Sequence, residues 1–221
     1  MKHNYDGPVV AIDIDGTLGD YHGHFLHFAE AWYGRPMPSA KDINPGLPLH
    51  KFMRTSKATY RQCKLAYRQG GLKRSMPAYP GASELCARVR QAGAELWICT
   101  TRPYLRLDNI DPDTRHWLRR NHIQFDAVIY GENKYRDLAR NVGRERVAAV
   151  MDDLPEMYLQ AITSLGYQWP HRMRDGWPPV LLRDQPYNRH MKTPSRIHDM
   201  PTAEREILWL IDKWRKNNDH S

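Results

Sequence analysis

Val9-Val10-Ala11-Ile12-Asp13-Ile14-Asp15-Gly16-Thr17-Leu18 is the stretch that decides the fold. An apolar run of Val and Ile passes directly into two carboxylates and a glycine. This is the pattern of a strand covered on both faces, with polar chemistry at its C-terminal end. Strands of that kind belong to parallel sheets, where ligands bind beyond the carboxyl ends.

The rest of the chain supplies the partners. Ala82, Leu85, Cys86, Val89 and Ala92 follow helical spacing, and Gly93 is a stop signal. Strands are expected at Glu95–Cys99, Ala127–Tyr130, Arg146–Met151 and Val180–Leu182. Between and beyond them lie helical patterns at Asp113–Asn121, Lys134–Asn141 and Leu154–Leu165, and from Thr202 to the end. In that last helix Ala203, Ile207, Leu210, Ile211 and Trp214 share one face, which is expected to pack on the core. Regular alternation of this kind implies an α/β class: a Rossmann-like parallel sheet with helices on both faces.

Polar signals fall where these strands end. Asp13, Asp15 and Thr17 follow the first, Thr100, Thr101 and Arg102 the second, Lys134 the third, and Asp152 and Asp153 the fourth. In a parallel sheet these ends converge. Asp13, Asp15, Asp152 and Asp153 at one place would repel strongly, and some would be driven to hold protons. A hard divalent cation such as Mg²⁺ removes the conflict, because it takes carboxylate oxygens and keeps several waters. The hydroxyls of Thr100 and Thr101 and the ammonium of Lys134 suit a phosphoryl group beside that cation. A carboxylate in line with phosphorus can act as nucleophile, and a second carboxyl can exchange a proton with the leaving oxygen.

The net charge of +8 is not spread evenly. From Ile43 to Ser83 there is no Asp or Glu, while Lys51, Arg54, Lys57, Arg61, Lys64, Arg68, Lys73 and Arg74 all fall there; the remainder is formally neutral. Lys57, Arg61, Lys64 and Arg68 line one face of an expected helix, Thr55–Gln69. Such a stripe is either a solvated face or an electrostatic lure for a phosphorylated substrate or a nucleic acid strand. Tyr60 and Tyr67 beside it could stack on a base or belong to the core.

Composition sets further bounds. The apolar fraction of 41% is enough to build a core, which excludes disorder as the dominant state. No stretch approaches the ~18 apolar residues of a membrane span, and Met1–Pro8 lacks the apolar centre of a signal peptide. The cysteines, Cys63, Cys86 and Cys99, are too few for a disulfide framework, so a reduced, cytoplasmic protein is expected. His22, His24 and His27 have no convincing ligand partner in the sequence and read as surface or substrate-edge residues.

The ordered set DIDGTL, CTT, Lys134 and MDD resembles the four motifs of the haloacid-dehalogenase-like (HAD) phosphohydrolase superfamily, over Val9 to about Gly166. The resemblance implies Asp13 as nucleophile forming an aspartyl-phosphate, and Asp15 as general acid and then base. It implies Thr100, or Thr101 in its place, and Lys134 on the phosphoryl oxygens. The metal would be held by Asp13, Asp152 and the backbone carbonyl of Asp15, with Asp153 in support. It also implies that residues 20–79 form a small, basic, mainly helical cap inserted into a core of residues 1–19 and 80–221.

AWYGRP (31–36), KRSMPAYPGA (73–82), ICTTRP (98–103) and QPYN (185–188) resemble the 5′(3′)-deoxyribonucleotidase branch and phage-type nucleotidases. That likeness implies Mg²⁺-dependent hydrolysis of (deoxy)nucleoside monophosphates. Phe52 or Tyr60 would stack the base, Arg102 would approach the phosphate or sugar, and Arg61 and Lys64 would meet the substrate in the cap. Two other readings stay open. TTRP followed by DPDTRHWL (111–118) is similar to polynucleotide 3′-phosphatases, which act on a nucleic acid 3′-phosphate end. A nucleic-acid-binding module with a vestigial site is the other.

Overall fold

The computed structural model describes residues 7–166, 179–193 and 195–218; Met1–Asp6, part of the polar N-terminal stretch considered above, lies outside them. Val9–Ile12 forms β1 with every residue buried. It is flanked on both sides by parallel neighbours, β2 (Glu95–Thr100) and β4 (Val147–Asp152). With β3 (Ala127–Tyr130), β5 (Val180–Arg183) and β6 (Arg196–Ile197) they make one six-stranded parallel sheet in the order β3-β2-β1-β4-β5-β6. The α/β, Rossmann-like expectation is met.

Side chains alternate across β1, and each face has its own apolar cluster. Val10 and Ile12 join one, with Phe25, Leu85, Trp117 and Ile207; Val9 and Ala11 join the other, with Tyr135, Leu138, Tyr158 and Ile162. Each fully buried Val, Ile or Leu contributes about 1.5–3 kcal/mol relative to exposure, so the central strand is pinned from both sides.

The helices in chain order are α1 (Tyr21–Tyr33), α2 (Leu49–Phe52), α3 (Lys57–Gln69), α4 (Ala82–Gln91), α5 (Ile110–Arg120), α6 (Lys134–Val142), α7 (Pro155–Ser164) and α8 (Met200–Asn218). Local chemistry sets their ends. Asp20 caps α1 by accepting from the Gly23 amide, and Ser56 caps α3 by accepting from Thr59. Pro155 opens α7, where its missing N–H costs nothing. Helix α8 buries Ala203, Ile207, Leu210 and Ile211 as its periodicity requires, and packs against α4 and β4.

Helices α1–α3 belong to the stretch between β1 and α4. The chain leaves and re-enters the core side by side: Asp20 donates to the Pro77 carbonyl, and Tyr79 donates to that of Leu18. Phe25, Met53, Cys63, Tyr67 and Met76 of this stretch share the apolar cluster of Val10 and Ile12. Tyr67 is therefore core, which resolves one of the alternatives left open by the sequence. The basic stripe of α3 divides: Lys57 and Arg61 are exposed, whereas Lys64 and Arg68 are half-buried. Helix α2 and strand β6 have no counterpart in the sequence reading.

The three cysteines are free and buried. No described helix is long and apolar enough to cross a membrane.

Candidate active site

Strand register brings the distant motifs together. Ile12 lies opposite Met151 of β4, so Asp13 and Asp152 are neighbours at the sheet's rim; the Asp13 amide donates to the Met151 carbonyl at 3.0 Å. Ile12 also lies opposite Ile98 of β2, which brings Thr100 to the same rim, and Thr100 pairs with Tyr130 at the end of β3. Lys134 is the first residue of α6, just beyond β3.

Lys134 ties the two carboxylates into one unit. Its buried Nζ lies 2.6 Å from Asp13 Oδ1 and 2.6 Å from Asp152 Oδ2. Burial opposes the charge of Lys134, but Asp13 and Asp152 hold the ammonium above its ordinary value. Asp152 is fixed further by the Tyr135 hydroxyl, which donates to Oδ2, and by the Leu154 amide, 2.9 Å from Oδ1. Asp153 accepts from Thr17 Oγ1 at 2.9 Å and from the Tyr187 hydroxyl.

Oxygen atoms of Asp13, Asp152 and Asp153 all lie within 4.8 Å of one another, and all three residues are buried. Burial pushes Asp13 up to about 7, with Lys134 opposing and Asp152 adding to the rise. Asp153 is raised well above its ordinary value by burial and then by Asp152 and Asp13. Three buried hard oxygen donors, of which Asp13 and Asp153 are driven toward protonation by burial and by neighbouring carboxylates, are a donor set a divalent cation fits.

Asp15 sits apart from this trio. Its carboxylate accepts from Arg102, 2.7 Å from Nη2 to Oδ1 and 3.2 Å from Nε to Oδ2, and from Lys73. Burial works against the charge, yet Arg102 and Lys73 outweigh it and hold Asp15 well below the usual carboxylate range. Arg102 is braced from behind by the Thr114 hydroxyl at 3.0 Å. Of the four carboxylates expected to meet, the structure gathers three through their side chains and turns the fourth onto two cations.

The loop after β1 explains why glycine stands at position 16. Its φ is +95°, and a Cβ there would overlap the Asp153 carboxylate and the Tyr187 hydroxyl. Gln185 donates to the Gly16 carbonyl at 2.6 Å and to the Tyr79 hydroxyl at 3.0 Å, while Asn188 donates to the Asp153 carbonyl at 2.7 Å. The QPYN segment thus grips the loops that carry Asp15 and Asp153.

The remaining expected residues fall as follows. Thr100 is buried, its hydroxyl 3.4 Å from the Arg102 amide; Thr101 is half-buried. Phe52 and Tyr60 pack on the larger core cluster. Lys64 lies 5.6 Å over the Tyr60 ring and close enough to Asp15 to feel its charge, and Arg61 is exposed. His22 packs on Tyr187, with ring centroids 4.5 Å apart, and His24 bonds the Tyr67 hydroxyl at 2.7 Å. Among the described residues, the only cluster suited to a metal is the Asp trio. Lys73, Tyr135 and Tyr187 were not picked out as site residues from the sequence. Lys73 was one cation in a basic run, and a tyrosine that orients a carboxylate reads like a core tyrosine.

Residues 7–213 match the family described as "5′ nucleotidase, deoxy (pyrimidine), cytosolic type C protein (NT5C)". A relative from Oceanobacillus iheyensis, provisionally named a nucleotidase, is 23% identical over 85% of this chain and 92% of its own. A relative from Chlorobaculum tepidum, provisionally named a 5′(3′)-deoxyribonucleotidase, is 23% identical over 72% of this chain and 86% of its own. Among solved structures, a HAD-superfamily hydrolase from Geobacter sulfurreducens superposes with a TM-score of 0.58 at 18% identity, covering 94% of this chain and 98% of that one. CbbY from Rhodobacter sphaeroides, solved in complex with phosphate, gives a TM-score of 0.54 at 18% identity, covering 87% and 94%.

Proposed function

The chain belongs to the cytosolic type C 5′-nucleotidase family, and from that premise we propose that it hydrolyses (deoxy)nucleoside monophosphates through a phosphorylated Asp13, with Mg²⁺ as cofactor. That it is a phosphatase of the nucleotidase type follows from the family. The substrate, the intermediate and the choice of metal are the proposal. One observation carries it: Lys134 bridges Asp13 and Asp152 at 2.6 Å each, which fixes a carboxylate beside the group that would orient it and the group that would share its metal.

In this reading a cation held by Asp13, Asp152, Asp153 and the Asp15 carbonyl supplies charge neutralisation for the phosphoryl oxygens. The other roles belong to side chains. An Asp13 oxygen attacks phosphorus and the bond to the nucleoside oxygen breaks, with Thr100 and Lys134 holding the phosphoryl oxygens. The leaving oxygen takes its proton from the Asp15–Lys73 pair. Water then attacks the phosphorylated Asp13 while ionised Asp15 accepts the water's proton, which returns the carboxylate and releases phosphate. Residues 20–79 act as the cap over this site.

The test is phosphate release from a panel of deoxy- and ribonucleoside monophosphates and 3′-phosphorylated oligonucleotides, with Mg²⁺ and with EDTA. Mononucleotide hydrolysis that EDTA abolishes and Mg²⁺ restores is expected. Release only from oligonucleotide ends, or none from any nucleotide, overturns the proposal.

A further inference from the structure

Two clefts are lined by residues that touch the site, one by Tyr187 and the other by Thr101 and Arg102, and their charges differ. The one on the Tyr187 side, about 520 Å³, is bordered by Asp20, Glu30 and Lys41 and carries a slight acidic excess. The other, about 590 Å³, is lined by Arg68, Thr101, Arg102, Tyr104 and Arg106, with Glu132 as its acidic member. Two of its arginines are unspent. Arg102 is committed to Asp15 and Thr114, but among the described residues neither Arg68 nor Arg106 has a carboxylate partner. The Arg68 Nε–H is moreover buried with no hydrogen-bond acceptor. A buried donor without an acceptor costs about 1–3 kcal/mol, and a guanidinium in this state is matched by a phosphate or carboxylate.

The reacting phosphate does not answer this demand. Its own partners, Thr100 and Lys134, are buried at the strand ends beside Asp13, whereas Arg68 closes the cleft from the C-terminal end of α3 and Arg106 from the turn after β2. The cleft also holds an aromatic wall: Tyr104 stacks on Tyr130 with centroids 4.9 Å apart and planes 15° from parallel, and Tyr104 remains half exposed.

We propose that this cleft is a second anion subsite, receiving a phosphate carried by the leaving group itself, as in a 2′-deoxynucleoside 3′,5′-bisphosphate. The inference rests on the phosphomonoesterase reading of Asp13. Chemically only one ester bond breaks: water supplies the oxygen to the reacting phosphorus and the proton to the nucleoside oxygen, and the second phosphate leaves unchanged on the product.

Titration calorimetry on the Asp13→Asn protein compares thymidine 5′-monophosphate with thymidine 3′,5′-bisphosphate without turnover. The bisphosphate is expected to bind at least tenfold more tightly, and adding Arg68→Gln to remove most of that difference. A 5′-phosphorylated thymidine dinucleotide, whose second charge is a diester, tells the two sources apart: a gain equal to that of the bisphosphate assigns the cleft to a chain phosphate, and a smaller gain to a terminal one. The same ratio read as kcat/KM on the unmodified protein, with Arg106→Gln as a surface variant, covers the case where Asp13→Asn folds poorly. Equal affinity for mono- and bisphosphate, or an equal loss for both on Arg68→Gln, overturns the subsite. Hydrolysis of the monophosphate is scored separately and tests only the phosphomonoesterase reading.

Discussion

Lys73, which returns from the stretch that carries α1–α3, donates to the carboxylate of Asp15 on the loop after β1. The contact spans the join between the sheet and the helices above it, and the Lys73 ammonium also lies 3.9 Å over the Tyr21 ring. Burial pulls Lys73 down to about 7, with Asp15 opposing and Arg102 adding to the fall. In the proposed reaction this ammonium, held against Asp15, is the proton donor for the leaving oxygen. Lys73→Met is expected to lower kcat by about 10²-fold with little change in KM, the scale of one general acid–base contribution, and Lys73→Arg not to restore it, because a guanidinium keeps its proton. Steady-state kinetics check this; an effect confined to KM would make Lys73 a substrate-binding residue instead.

Lys134 compensates two buried carboxylates at once. Lys134→Met leaves Asp13 and Asp152 without a counter-charge, and removing one partner of a buried ion pair costs about 3–5 kcal/mol. Urea unfolding in EDTA should register a loss of that order, and added Mg²⁺ should recover part of it. A loss below about 1 kcal/mol would mean that the Lys134 charge is not what holds these carboxylates in the metal-free protein.

Tyr187 holds Asp153 through its hydroxyl. Tyr187→Phe keeps the ring against His22 but frees one carboxylate oxygen. The rise in Tm on adding Mg²⁺ is expected to require several-fold more metal in the variant, since the loss of one group that orients a ligand costs about tenfold in metal affinity. An unchanged dependence on Mg²⁺ would show that Thr17 alone orients Asp153.

His22 gives a pH prediction. Burial, then Lys64 and Lys73, lower its pKa to about 4 from 6.5. The unfolded chain therefore binds more protons than the folded one between those values, so stability is lost as pH falls from 6.5 toward 4. His22→Gln should flatten this loss by on the order of 2 kcal/mol, read from urea unfolding at pH 7 and pH 4.5. A variant whose stability falls as steeply as that of the parent protein would assign the acid sensitivity elsewhere.

Much of the site was legible because parallel strands convert sequence position into spatial position. Asp13, Thr100 and Asp152 each stand just where a buried apolar run ends, and register brings them to one rim, while Lys134 follows β3 as the first residue of α6. The pairing of Asp15 with Arg102 and Lys73 was not legible: the partners lie 87 and 58 residues away, and no periodicity relates them. Four like charges in two of the motifs suggested one cluster, whereas two cations draw Asp15 aside. The basic stripe on α3 was visible, but its division into an exposed outer half and an inner half facing Asp15 depends on how the helix rotates against Phe25 and Tyr21. Strand β6, with two residues, and α2, with four, are too short to leave a pattern.

The most direct measurement is rapid acid quench of the protein during turnover of a deoxynucleoside monophosphate, followed by peptide mass mapping. One added phosphoryl group on the peptide containing Asp13, absent from the Asp13→Asn protein, is the predicted result. Steady phosphate release with no phosphorylated peptide at any quench time, or undiminished release by Asp13→Asn, would contradict it.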